Sequence, residues 1–257
     1  MSSSSRRAIG GRHELGQNFL VDRRVVARIA ALVPPGPVLE LGAGDGALTR
    51  QLAVRADDVT AVELDPGRVA GLRRSLGRRV RVLQADMLRF RVDAAYHVVS
   101  NVPFGITTPL LRHLLGQHGW ASAVLLLQWE VARKRAAVGG TTLLTASWWP
   151  WYEFRLAGRV PASAFRPRPS VDSGILVIHR RPAPLVSPVE RGAYQRMVRE
   201  AFRGDRLLPA VRRTLPAPHR WLASHGMDKR ARPSELNAHT WAALYESVRS
   251  QDAGACW

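Results

Sequence analysis

The sequence predicts an α/β fold: a Rossmann-like open sheet of parallel strands with crossover helices, followed by a small C-terminal all-α domain. Three observations lead there. From Val38 onward, short apolar runs alternate with segments of helical periodicity, the pattern of strands joined by crossover helices. A glycine-rich turn, Gly42-Ala43-Gly44-Asp45-Gly46, directly follows the first such run. Past the proline-rich stretch from Arg180 to Val189, only helical spacing remains.

Taken in order, the chain begins with Met1 to Gly11, rich in serine and arginine with no apolar segment behind it. It reads as a disordered basic tail and not a signal peptide. A helix is expected over roughly Asp22 to Leu32, before the first strand, Val38-Leu39-Glu40-Leu41. The glycine turn comes next, then a helix from about Ala47 to Val54. Glycines at such a turn let the backbone bend sharply and come close to a ligand. Dinucleotide enzymes use a similar loop, but Gly-x-Gly-x-Gly after Glu40-Leu41 is more often the S-adenosyl-L-methionine variant. The absence of Gly-Lys-Ser/Thr rules out a P-loop.

The second strand, Val59-Thr60-Ala61-Val62, ends in Glu63-Leu64-Asp65. A carboxylate about twenty residues past the glycine loop is placed to accept from ribose hydroxyls. Glu63 is preferred for this, because Asp65 before Pro66 suits a helix N-cap. The third strand, Val80-Arg81-Val82-Leu83, leads to Asp86, an acceptor for an adenine amino group, and to Met87, which would pack beside the ring. The fourth, Tyr96-His97-Val98-Val99-Ser100, delivers Asn101-Val102-Pro103-Phe104.

Alone, that tetrapeptide is equally well a turn after a strand. It also suits methylation of an amino group conjugated to a ring, whose lone pair is delocalised and poorly nucleophilic. The Asn101 side-chain oxygen and a backbone carbonyl such as that of Val102 would hold the two amino hydrogens. Pro103 would stiffen the turn, and Phe104 would offer a stacking face to a flipped base. The order glycine loop, Glu63, Asp86, Asn101 at successive strand ends points to a class I methyltransferase that uses S-adenosyl-L-methionine.

Composition narrows the partner. A formal charge of +18 in 257 residues predicts attraction to a polyanion, nucleic acid before anionic membrane. The positive charge is nearly all arginine and is spread along the chain, not gathered in one basic-apolar stretch. No apolar run of membrane-spanning length occurs. The single cysteine, Cys256, leaves no internal disulfide and no cysteine metal site, so a reducing cytoplasm is expected. The eight histidines show no ligand spacing, and no metal is expected.

Two further motifs are Gln17-Asn18-Phe19-Leu20 and Phe165-Arg166-Pro167-Arg168-Pro169-Ser170-Val171-Asp172-Ser173. With Asn-Val-Pro-Phe, they make the chain resemble the rRNA adenine-N6 dimethyltransferases, the family of KsgA and Erm, over about residues 12 to 180. The segments from Asn101 to Arg112 and from Trp148 to Phe154 are more similar to the Erm branch; KsgA-like enzymes usually carry Asn-Leu-Pro-Tyr-Asn. The resemblance implies N6-methylation of an adenine in 23S rRNA, mono- or di-, giving macrolide, lincosamide and streptogramin B resistance. It implies action on 23S rRNA that is free or in an assembling large subunit; a monomer with no membrane partner is expected. By motif, Asn18, Leu20, Gly42, Gly44, Glu63, Asp86, Met87 and Asn101 would bind the cofactor. Asn101, Phe104 and Phe165 would serve catalysis, Phe165 flanking the methyl donor or the base; the alternative for Phe165 is a core aromatic before a proline-stiffened loop. Competing expectations are a KsgA-like enzyme of small-subunit rRNA and a non-catalytic RNA-binding factor on the same fold.

The resulting domain organisation is a tail over 1–11, a cofactor-binding catalytic domain over 12–181, a linker over 182–189, a small helical RNA-binding domain over 190–250 and a tail over 251–257. Helical spacing is expected over Glu190 to Phe202, Arg220 to His225 and Trp241 to Val248. Arg191, Arg196, Arg199, Arg203, Arg206, Arg212 and Arg213 are expected to line a cleft with the catalytic domain and hold RNA phosphates, with Arg133, Lys134 and Arg135 as a second basic cluster.

Overall fold

A computed structural model describes residues 18–254. The tail expected over 1–11, Gln17 of the first motif, and the last residues of the tail expected over 251–257 lie outside the described residues. The chain divides into two compact units, Met1–Trp129 with Gly158–Ile175, and Glu130–Ala157 with Leu176–Trp257. Residues 130–157 and 176–181, grouped by sequence with the catalytic domain, thus fall in the second unit. The proline-rich stretch marks a change of composition, whereas compactness follows contacts in space.

The first unit opens with β1 (Phe19–Leu20) and α1 (Arg23–Ala31), whose N-cap Asp22 accepts from the amides of Arg24 and Val25. Val25, Val26, Ile29 and Ala30 form its buried face. Then come β2 (Val38–Leu41), α2 (Ala47–Arg55), β3 (Val59–Glu63), α3 (Pro66–Leu76), β4 (Arg81–Gln84), β5 (Tyr96–Asn101), α4 (Thr107–Leu115) and β6 (Trp120–Gln128). Asp65 caps α3 by accepting from the Arg68 amide, with Pro66 at the first helical position. β2 and β3 are buried along their whole length, as strands covered on both faces must be.

Two short helices, α5 (Trp129–Arg135) and α6 (Leu143–Trp148), precede β7 (Tyr152–Val160), β8 (Phe165–Arg166) and β9 (Ser173–Arg180). The large sheet runs β4-β3-β2-β5-β6-β9-β7, and β2, β3, β4, β5 and β6 pair in parallel. From β2 the chain moves outward to β3 and β4, then returns to place β5 on the other side of β2. The carboxyl ends of β2 and β5 therefore flank a topological switch point, where open α/β sheets bind ligands.

In the second unit, α7 (Arg191–Ala201), α8 (Leu208–Arg212), α9 (Pro218–Ser224) and α10 (Ala238–Gly254) follow. Of these, α8 is absent from the sequence expectation. Its core is aromatic. Tyr194 is fully buried, donates its hydroxyl to the Ala146 carbonyl at 2.8 Å, and packs edge-on against Trp151 and Tyr245. Trp241 stacks on Phe202. Outside this core, Arg196, Arg199, Arg203, Arg206, Arg212 and Arg213 are exposed. Among the described residues, no helix is long and apolar enough to cross a membrane.

Candidate active site

A cavity of about 990 Å³ opens at the switch point, within the size range of small-molecule sites. Asn18, Phe19, Leu20, Gly42, Ala43, Gly44, Glu63, Asp86, Met87, Asn101 and the residues through Ile106 all line it. Parallel pairing explains the convergence: Leu41 sits opposite Val62, Glu63 opposite Gln84, and Glu40 opposite Val99, so the strands end together.

The glycine loop is folded as its residue types require. Gly42 and Gly44 have φ of 75° and 55°, a region that L side chains rarely adopt. The Gly42 amide donates to the Val62 carbonyl at 2.8 Å. A Cβ on Gly42 would come within 2.4 Å of Met87 Cε, so the thioether and the bare loop are fitted to each other.

Glu63 is 6% exposed and tied to the backbone on both oxygens. Its Oε2 accepts from the Gly44 amide at 2.7 Å, and its Oε1 from the amides of Leu64 and Asp65 at 2.8 and 2.9 Å. An ionised carboxylate offers about four acceptor positions, so the carboxylate keeps room for a ligand hydroxyl. Asp65 is turned away to cap α3 and does not line the cavity. Asp86 uses Oδ1 to accept from the Leu88 amide at 2.8 Å, with Arg89 3.9 Å from its Oδ2.

Asn101 closes the other side. Its Nδ2 donates to the Asn18 carbonyl at 2.8 Å, which fixes the plane of the amide. No partner for its Oδ1 occurs among the described residues, and the residue lines the cavity. The Val102 amide donates to the Leu126 carbonyl at 3.1 Å, anchoring the turn to β6. Phe104 begins a short 3-10 turn at the cavity mouth and is half-buried.

Phe165 takes the second of the two places expected for it, the core, and not a place beside the methyl donor or the base. It is 1% exposed, lies in β8 opposite Leu20 of β1, and does not line the cavity. Its spacing from the prolines says nothing about which face of a two-stranded ribbon its ring takes, and here the ring goes to the core. Its motif instead builds a staple. Asp172 accepts from the Ala162 amide at 2.8 Å and from Arg159 Nε at 2.7 Å, closing the loop between β7 and β9. The Ala162 amide, then the Arg159 guanidinium, hold the Asp172 carboxyl below its ordinary range.

One residue escaped the sequence reading. Glu40 lines the cavity from within β2 and is 2% exposed, with the Thr49 hydroxyl as its polar neighbour. Burial pushes its carboxyl up to about 8, against the opposing Thr49 hydrogen bond, and so favours the neutral form at pH 7. The signal was a single acid inside an apolar strand, Val38-Leu39-Glu40-Leu41, since strands covered on both faces seldom place one.

These groups fit S-adenosyl-L-methionine. Carboxylates at two strand ends match hydroxyl and amino hydrogens, Met87 gives an apolar wall, and the loop has no Cβ where a ligand would approach. The model of the family described as "Ribosomal RNA adenine dimethylase" matches residues 9–249. The chain is 57% identical over 250 residues to the "Mycinamicin-resistance protein MyrB" of Micromonospora griseorubida, covering 94% of this chain and 80% of that one. It is 47% identical to an "rRNA adenine N-6-methyltransferase" of Corynebacterium diphtheriae over 196 residues, 75% of this chain and 78% of the other. Among solved structures, one described as 23S rRNA methyltransferase ErmE superposes with a TM-score of 0.83 at 33% identity, covering 90% of this chain and all of that one.

Proposed function

We propose that this chain, which belongs to the ribosomal RNA adenine dimethylase family, methylates N6 of one adenine in 23S rRNA and thereby confers macrolide, lincosamide and streptogramin B resistance. It is an S-adenosyl-L-methionine-dependent rRNA adenine N6-methyltransferase. The observation that supports the choice of 23S is the likeness to the solved 23S rRNA methyltransferase ErmE, with a TM-score of 0.83 over 90% of the chain; the 57% identity to a mycinamicin-resistance protein supports the resistance role. The proposed setting is the cytoplasm, with a monomer meeting 23S rRNA free or in an assembling large subunit.

The cofactor supplies an electrophilic sulfonium methyl, so neither a metal nor a strong base has to be invoked. The chain's part is positioning. In our reading Glu63 takes the ribose hydroxyls and Asp86 the adenine amino group, with Met87 against the ring. Gly42, Gly44 and the backbone of Asn18 and Leu20 face the methionine end. Asn101 Oδ1 accepts from the target amino group while its Nδ2 stays on the Asn18 carbonyl, so the acceptor is aimed before substrate arrives. Phe104 stacks on the extruded adenine, which leaves its strand most cheaply from a loop or bulge.

The test is to incubate the protein with labelled S-adenosyl-L-methionine and either free 23S rRNA or 30S particles, mapping products by primer-extension stops. Label is expected in one adenine of free 23S rRNA. Label confined to 30S particles overturns the assignment in favour of a small-subunit enzyme.

A further inference from the structure

The segment Trp148-Trp149-Pro150-Trp151-Tyr152-Glu153-Phe154 has no part in the cavity, yet it organises arginines within the second unit. Arg191, the first residue of α7, lies with its guanidinium carbon 5.5 Å from the centre of the Trp148 ring. Arg180, at the end of β9, lies 5.1 Å from the centre of the Tyr152 ring and hydrogen-bonds to that side chain. The rings of Trp148 and Tyr152 are themselves 6.0 Å apart. Two guanidinium groups are thus held over two adjoining aromatic faces, and the charges of both act on the Tyr152 hydroxyl.

Two carboxylates close by in sequence are engaged with other partners. Glu153 is bonded to Arg181 at 2.7 Å. Glu190, next to Arg191, is engaged with Arg249 at 3.6 Å and with the Tyr245 hydroxyl. Arg191 itself makes no hydrogen bond or ion pair among the described residues, so its fork of N–H donors is uncommitted. It is half-buried, with its guanidinium carbon over the Trp148 ring. A guanidinium with open donors matches the bidentate geometry of a phosphodiester, and packing over a ring limits the side-chain freedom left to lose on binding.

We propose that Arg191 over Trp148, with Arg180 over Tyr152, forms a phosphate-binding subsite for the RNA backbone, separate from the methyl-transfer cavity. The proposal rests on the rRNA-methyltransferase reading above and assigns it a contact made through the second unit. The subsite positions RNA and takes no part in bond making. Its signature is therefore a change in RNA affinity and salt dependence with the chemical step preserved.

The experiment uses the full chain as wild type, Arg191→Ala and Arg191→Lys. Methyl transfer from labelled S-adenosyl-L-methionine to transcribed 23S rRNA gives kcat and KM. Anisotropy with a fluorescein-labelled hairpin RNA over a salt series gives the slope of log affinity against log salt. Arg191→Ala is expected to raise KM for RNA about tenfold, the loss of one charge-assisted hydrogen-bonding group, at unchanged kcat. Its salt slope should shrink by about 0.7–0.9, one phosphate's worth of released counterions. Arg191→Lys should keep the wild-type slope while losing part of the affinity.

Wild-type KM and slope in Arg191→Ala overturn the subsite. A lower melting temperature with reduced kcat and an unchanged slope does so too, because it marks a packing role. If the wild type fails to methylate 23S rRNA but the slope change is present, the subsite stands and the substrate assignment falls.

Discussion

Around the cavity each polar side chain is aimed by the backbone: Glu63 is bonded to the amides of Gly44, Leu64 and Asp65, Asp86 to that of Leu88, and Asn101 to the carbonyl of Asn18. In the second unit the aiming is done by aromatic rings, with Arg191 over Trp148 and Arg180 over Tyr152, while most α7–α9 arginines simply project into solvent. The first arrangement fixes positions to a few tenths of an ångström, which bond-making chemistry demands. The second holds charge beside a ring but leaves reach, which suits a polyanion whose phosphates repeat along a strand. Changes at the cavity should therefore act on the rate or on the fold, whereas changes among the arginines should act on RNA affinity.

The largest break in that contrast is expected at Asn101. Asn101→Ala removes the acceptor and its anchor together, and should lower kcat on the order of a thousandfold while the melting temperature stays near wild type. Cofactor affinity, followed by calorimetry, should change far less than the rate. Near-normal methylation of 23S rRNA by this variant would remove the mechanism.

Glu40 sharpens the comparison through stability. Unfolded, its carboxyl loses the proton near the ordinary 4.5; folded, burial holds the proton to about 8. Between those values the native state binds more protons than the unfolded chain, so stability falls as pH rises from about 4.5 to 8 and levels off above. At about 1.4 kcal/mol per pKa unit, the contribution amounts to a few kcal/mol across that window. Denaturation of the cofactor-free protein at pH 5, 7 and 9 should show this decline in wild type and its loss in Glu40→Gln. Parallel pH profiles for the two proteins would mean that Glu40 is ionised in the fold.

Phe104 separates stacking from hydrogen bonding. Base–aromatic stacking contributes about 1–3 kcal/mol, so Phe104→Ala should lower kcat/KM by roughly ten- to a hundredfold. Phe104→Tyr keeps the face and should stay within a few-fold of wild type. Equal losses in the two variants would argue that the ring does not stack on the target base.

Much of the cavity was legible because a parallel sheet converts order along the chain into proximity in space. Once strands ending at Leu41, Glu63, Gln84 and Asn101 are recognised, their carboxyl ends meet at one edge by pairing alone. Glu63 and Asp65 could be told apart beforehand because Pro66 favours a cap at the residue before it, and Asp65 is that cap. Glu40 was only partly legible: an acid inside the apolar run Val38-Leu39-Glu40-Leu41 marks an unusual position, but the run does not tell whether the acid faces a cavity or a core partner. The partners of Arg180 and Arg191 were not legible, because contacts between distant aromatics and helix termini follow from packing and have no period in sequence. The compact units follow the same rule: residues 130–157 join the second unit by contacts that no composition change announces.

Phe165 supplies the smallest and most discriminating test, because its motif pointed to the site and its ring went to the core. A ring buried to 1% exposure beside Leu20 should contribute through packing. Phe165→Leu keeps an apolar side chain of reduced volume and should cost about 1–1.5 kcal/mol of stability, visible as a shift in denaturation midpoint with an unchanged slope. At a temperature where the variant is fully folded, kcat and the KM values for RNA and cofactor should match wild type. A tenfold fall in kcat without a stability change would return Phe165 to the reacting groups. It would also mean that the β1–β8 ribbon rearranges when substrate binds, because the ring cannot touch a base from where it now lies.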